Sequence, residues 1–248
     1  MKKKLIAIGG GSMWEGKRDI FPISRQILKL SGKRKGTICF IPTASKDSQV
    51  GIDVFQKYYG GKFGCTVNVL KLYENAPDHQ TIQEMILSAD IVYVGGGNTK
   101  MMIEIWKKHK IDDLLKEAYE KGIVMSGLSA GGICWFKYGN SDSNQIAEND
   151  ETVPLIQVDG LGWFDLMFCP HYDEEKDREP SLKEMTKGKN FKALGVDRCA
   201  ALEIVDDEFR VLTTKTTANI YLVYWQGEKY IKKALPKDMK FRKLNEIL

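Results

Sequence analysis

Three times along this chain a short apolar run breaks off into glycines. Residues 5–8 precede Gly9-Gly10-Gly11, residues 91–94 of a strand expected over 90–94 precede Gly95-Gly96-Gly97, and residues 123–125 lead into Gly127-Leu128-Ser129-Ala130-Gly131. An apolar run without polar alternation is how a strand buried on both faces reads, and glycines at its end let the backbone turn sharply. Few architectures bury several such strands side by side.

The segments between the runs have the other periodicity. Ile20, Ile23, Ile27, Leu28 and Leu30 repeat at helical spacing until Ser31-Gly32 stops them. Further helices are predicted over 48–59, 78–87 and 111–121, with a long one opened by Asn98-Thr99; strands are predicted over 37–41 and 66–72. Strands alternating with helices imply an α/β protein on a mostly parallel, doubly wound sheet. Its site belongs in the loops at the carboxyl ends of the strands, where Gly95–97 and Ser129 both fall. Past Trp135 the texture changes: 137–151 reads as a polar loop, 153–158 and 166–169 as short strands, and 180–187 as a helix. Residues 202–205, 209–213 and 221–225 read as an antiparallel or mixed extension. No repeat or linker divides the 248 residues, so one domain over 1–248 is expected.

Gly127-Leu128-Ser129-Ala130-Gly131 is a G-x-S-x-G sequence in the strand–turn–helix setting that gives it meaning, a turn that lifts the Ser129 hydroxyl clear of the sheet. A serine attacks well only when a base takes its proton, usually a histidine oriented by a carboxylate. The chain has three histidines. His79 sits in a turn and His109 at a lysine-rich helix end, whereas His171 follows an apolar strand at Pro170 and enters a polar loop. His171 is therefore favoured as the base. For the carboxylate, Asp142, Glu148, Asp150, Glu151, Asp159, Asp165, Asp173 and Asp197 all stay open. An oxyanion hole needs pre-aimed N–H groups; Ala130, just after the nucleophile, and the Gly95–97 loop suit that purpose.

Other chemistries find less support. A net charge of +4 is too small to argue for nucleic acid, and no aromatic–basic interleaving suggests a stacking platform. A dinucleotide motif after the first strand fails at Trp14, and a phosphate loop running from Gly11 to Gly16 and Lys17 fails at Arg18, where a serine or threonine is needed. Five scattered cysteines with no C-x-x-C pair point to free thiols, a reducing compartment and no metal site. The initial apolar run is too short for an export signal and no stretch could span a membrane, so a cytoplasmic protein is expected. No cofactor is called for, and a homodimer is left open.

With Val94-Gly-Gly-Gly-Asn-Thr99, the GLSAG elbow and Pro170-His171 in this order, the chain resembles the S51 serine peptidases, which include the dipeptidase E group and the cyanophycinases. The resemblance runs from about Leu5 past Asp197. It implies a class I glutamine amidotransferase-like α/β sandwich and hydrolysis of short peptides through an acyl-enzyme. By it, Ser129 is the nucleophile, His171 the general base and acid, Asp142 the orienting acid, and Gly97 and Ala130 the oxyanion donors. Asp197 is the reserve acid, and Arg178 resembles the family's substrate-binding arginine, which implies a preference for acidic residues. The Asn140-Ser141-Asp142 segment and the short stretch between His171 and Arg178 depart from the dipeptidase pattern. An esterase using the same elbow and a catalytically silent binding protein are the alternatives.

Overall fold

The computed structural model describes residues 1–14 and 19–248. In chain order its strands are β1 (Lys4–Ile8), β2 (Thr37–Ile41), β3 (Thr66–Val69), β4 (Ile91–Val94), β5 (Val124–Leu128), β6 (Phe136–Ser141), β7 (Ile156–Asp159), β8 (Phe164–Cys169), β9 (Lys192–Val196), β10 (Ala200–Val205), β11 (Glu208–Thr213), β12 (Ile220–Gln226), β13 (Lys229–Ala234) and β14 (Arg242–Lys243). The helices are α1 (Phe21–Ser31), α2 (Gln49–Phe55), α3 (His79–Leu87), α4 (Thr99–His109), α5 (Ile111–Glu120), α6 (Ala130–Ile133), α7 (Ser143–Glu148) and α8 (Arg178–Thr186).

These strands form two mixed sheets. One runs β14-β11-β10-β1-β5-β4-β2-β3, the other β13-β12-β9-β8-β6-β7. In the first, β1, β5, β4, β2 and β3 pair in parallel, and β10 and β11 extend it antiparallel. The second holds a parallel trio, β6, β8 and β9. The expected antiparallel extension is thus present, but it feeds two sheets rather than one.

The period-two alternation of the strands sorts the core into layers. Ile6, Ile8, Ile38, Phe40, Ile91 and Tyr93 face α1, α2 and the π-helical turn Gln56–Lys62 that prolongs α2. Their neighbours Leu5, Ala7, Cys39, Ile41, Val92 and Val94 face the opposite way, into a core shared with α3 to α5 and with Leu166, Phe168 and Leu194 of the second sheet. Met167, Cys169 and Ala193 point to the far side, against Leu182 of α8. Burying both faces of β1, β2, β4, β5 and β10 requires the continuous apolar strands that the sequence carries. All five cysteines are buried free thiols. No helix among the described residues is long and apolar enough to cross a membrane.

One segment differs from expectation. Residues 137–151 contain β6 and α7, because the polar groups of Asn140, Ser141 and Ser143 are buried in hydrogen bonds rather than solvated. The near-match to a phosphate loop ends in Gly16, Lys17 and Arg18, which lie outside the described residues.

Candidate active site

The parallel strands of both sheets end at one place. Gly9–Gly11 follow β1, Gly95–Gly97 follow β4, Ser129 follows β5, Asp142 follows β6, Pro170-His171 follow β8 and Asp197-Arg198 follow β9. Convergence of carboxyl ends is where sheets of this class build sites. The join is made by backbone hydrogen bonds. The Ser129 N–H donates to the Ile8 carbonyl at 3.0 Å, and the His171 N–H to the next carbonyl, Gly9, at 3.1 Å. One loop therefore fixes both residues, and the Cys199 N–H donates to the Gly10 carbonyl of the same loop.

Ser129 stands at a sharp elbow with φ 56° and ψ −111°, a conformation that costs a non-glycine residue free energy. The flanking glycines make the turn possible: a side chain on Gly127 would run into the Gly131 backbone, and one on Gly131 into the Val94 carbonyl. The turn carries the Ser129 hydroxyl to His171, with Oγ 3.1 Å from Nε2. His171 also has a positive φ of 53°, and its ring lies against Gly10, where a Cβ would stand 2.8 Å from Nδ1. Burial holds the imidazole below its ordinary value, reinforced by the Arg178 guanidinium; Glu175, Asp142 and Glu174 pull it back up. The net result favours the neutral ring, the state a general base needs.

Ala130 opens α6 directly after the nucleophile, so its N–H belongs to the first turn, where donors lack intrahelical partners. In the glycine loop, Gly96 is the residue that faces the serine: a Cβ there would lie 3.3 Å from both Ser129 Cβ and the Leu128 carbonyl oxygen. Gly97, with φ 132°, is turned towards the Ala44 carbonyl. Asn98 explains why the loop ends as it does. Its Oδ1 caps α4 by accepting the Met101 N–H, and its Nδ2 donates to the Ser143 carbonyl at 2.8 Å, tying the loop to the turn that carries Asp142.

The expected carboxylates go elsewhere. Asp142 Oδ2 is paired with Arg178 Nη2 at 3.4 Å, and no hydrogen bond joins it to His171 among the described residues. Asp197 is buried and accepts the Asn219 N–H at 2.8 Å, on the side of β12. Among the described residues, the carboxylate nearest the His171 ring nitrogens is that of Glu174, its Oε2 at 3.9 Å from Nδ1. Arg178 is likewise not free to clamp a substrate. Its side chain is 0% exposed, it donates through Nη1 to the carbonyl and Oδ1 of Asn140, and it pairs with Glu175 through Nε. Cys134, a turn beyond the elbow, is no rival nucleophile, because burial pushes its thiol well above its ordinary range.

Glu174, Gly10 and Arg198 escaped the sequence reading. The one available signal was an acidic residue three positions after the candidate base, hidden in a run with Asp173, Glu175 and Asp177. Beside this run opens a cleft of about 780 Å³. Asp142, Asp150, Glu151, Glu174, Glu175 and Asp177 line it, against a single cation, Lys176.

Known proteins share the sequence and the fold of this chain. The family model described as peptidase family S51 matches residues 5–212. An uncharacterized peptidase, YgaJ, of Bacillus subtilis (strain 168) is 34% identical over 238 residues, covering 94% of this chain and 97% of that protein. Peptidase E of Nostoc sp. (strain PCC 7120) is 24% identical, covering 92% of both. The crystal structure of a peptidase from an acI-B1 Actinobacterium shares the fold, with a TM-score of 0.71 at 14% identity over 98% of this chain and 97% of that one. The chain belongs to peptidase family S51.

Proposed function

We propose that this S51 peptidase hydrolyses short peptides with Ser129 as nucleophile and His171 as general base and acid. What carries the reading is the 3.1 Å contact between Ser129 Oγ and His171 Nε2 at a strained elbow. As Oγ bonds to the scissile carbonyl carbon, Nε2 takes its proton. The oxyanion is met by the N–H groups of Ala130 and of the Gly95–Gly97 loop. Collapse of the tetrahedral intermediate expels the amine, which takes the proton from His171, and leaves an acyl-enzyme. Water, deprotonated by His171, releases the acid and restores Ser129.

A preference for acidic side chains loses its support, because Arg178 is buried and its charge is met by Glu175 and Asp142. The acidic cleft lined by Glu174, three residues after His171, favours peptides that bring positive charge, their free N-terminus included.

A panel of dipeptides and tripeptides varied in charge, run beside p-nitrophenyl esters, tests both levels. Peptide turnover that vanishes in Ser129→Ala, with Ser129 labelled by a fluorophosphonate in the wild type, is the expected result. Turnover of esters alone would replace the peptidase with an esterase, and no labelling would mean a silent site. Faster cleavage of aspartyl than of lysyl peptides would overturn the charge preference.

A further inference from the structure

The structure assigns Glu174 as the residue that positions His171, with Arg198 as the clamp that holds Glu174 to it; the assignment rests on the Ser129–His171 reading above. A histidine that accepts the serine proton at Nε2 must carry its own proton on Nδ1, and an acceptor at Nδ1 fixes that tautomer and the tilt of the ring. Glu174 Oε2 lies 3.9 Å from Nδ1 and is the nearest carboxylate among the described residues. Closing that gap to a hydrogen bond takes about 1 Å, within the slack that catalytic contacts show before substrate binds.

Glu174 is partly exposed and could wander, but three contacts restrain it. Arg198 Nη1 donates to both of its oxygens, Oε1 at 2.9 Å and Oε2 at 3.2 Å. The Arg198 N–H donates to Asp173 Oδ1 at 2.7 Å, so adjacent residues of the His171 loop are latched to the end of β9. The Glu174 N–H donates to the His171 carbonyl at 3.2 Å, closing a turn that puts acid and base on one side. Arg198 is anchored in its turn by Asp19, with Nη2 3.5 Å from Oδ2. The ring is also bounded by Gly10, and Arg198 Cγ would lie 3.4 Å from a Cβ placed there. His171 thus sits in a frame made by Gly10, Glu174 and Arg198. Glu175, Asp142 and Arg178 also act on its charge, but Asp142 and Glu175 are both paired to Arg178.

The test compares Glu174→Gln, Arg198→Gln and Asp142→Asn in the full chain. Readouts are kcat and KM on the best peptide, and the ring ¹⁵N shifts of His171, which report the nitrogen that holds the proton. Glu174→Gln should lower kcat on the order of 10²- to 10⁴-fold, leave KM within about threefold, and shift the ring away from the Nδ1–H tautomer. Arg198→Gln should do the same more weakly. Asp142→Asn should leave the tautomer in place. Glu174→Gln with kcat within about threefold of wild type and unchanged ring shifts would overturn the assignment, as would a tautomer shift produced by Asp142→Asn instead. If the wild type cleaved no peptide, the peptidase reading would fall, while the ring shifts would still decide Glu174.

Discussion

Gly10 and His171 are in contact across the seam between the two sheets, and the contact exists only because residue 10 has no side chain. A Cβ would stand 2.8 Å from Nδ1 and 2.9 Å from Cε1 of the imidazole, inside any tolerable separation. Gly10→Ala must therefore push the ring, whose backbone is pinned by the hydrogen bond from the His171 N–H to Gly9. A displacement approaching 1 Å at a catalytic group costs about 10²-fold in rate. The expected outcome is a folded protein with kcat lower by about that factor and KM little changed. Full activity in the folded variant would show that the ring does not depend on this contact.

The same seam marks how far the sequence was legible. β2 is as expected, and β1, β4 and β5 differ by a residue or two at their ends, because continuous apolar runs ending in glycine have few other uses. The pairing of Ser129 with His171 was legible for a different reason: a motif with mechanical meaning and a scarcity of histidines. β6 was not, since Phe136–Ser141 mixes Lys137, Asn140 and Ser141 with apolar residues. Only the fold reveals that Arg178 and Ser181 satisfy Asn140 there. The burial of Arg178 was illegible on the same ground. An arginine among glutamates reads as solvated surface or as a ligand clamp, and pairing with residues far off in the chain is what buries it. Which carboxylate serves His171 depends on distances across loops, and no spacing in the sequence encodes those.

The acid limb of activity should lie low. Hydrolysis needs a neutral His171, so the rate is full above the folded-state pKa and is lost as pH falls through it. Burial, followed by the nearby Arg178 charge, sets that pKa below the ordinary histidine value of about 6.5. The midpoint of the acid limb of kcat/KM should therefore lie below about pH 6.5. Stability moves in the same direction. The unfolded chain takes up the proton first, so acidification through this window destabilises the fold. A limb centred above about pH 6.5 would contradict the described environment of the ring.

Arg178 should prove a structural cation. It is fully buried at the start of α8 and gathers Asn140, Asp142 and Glu175 around one guanidinium. Arg178→Ala leaves the buried carbonyl and Oδ1 of Asn140 without their donor, while Asp142 and Glu175 are 26% and 40% exposed and stay hydrated, so a cost of about 1–3 kcal/mol is expected. Urea unfolding should report a loss of that order, with activity on acidic and neutral peptides reduced alike. An Arg178→Ala protein of wild-type stability that failed only on acidic peptides would restore the substrate-clamp role.

Asp197 is expected to weaken the protein at neutral pH. The residue is 3% exposed; Oδ2 accepts the Asn219 N–H, and Oδ1 has no hydrogen-bond partner among the described residues. Burial pushes its pKa up to about 6, with the nearby Asp173 charge adding to the rise and the Asn219 hydrogen bond opposing it. The sign follows directly. Folded Asp197 holds its proton more tightly than the unfolded residue, whose value is about 4. The penalty for ionising it in the fold is absent below about pH 4, grows as pH rises, and is complete above about pH 6. Asp197→Asn keeps an acceptor for Asn219 and removes the buried charge. It should raise stability by about 1–3 kcal/mol at pH 8, the advantage fading to nothing near pH 4. Thermal unfolding of the two proteins across that range tests it. Were the Asn variant less stable at pH 8, the ionised carboxylate would have to be serving the fold, and the Oδ1 left without a partner would be the first atom to re-examine.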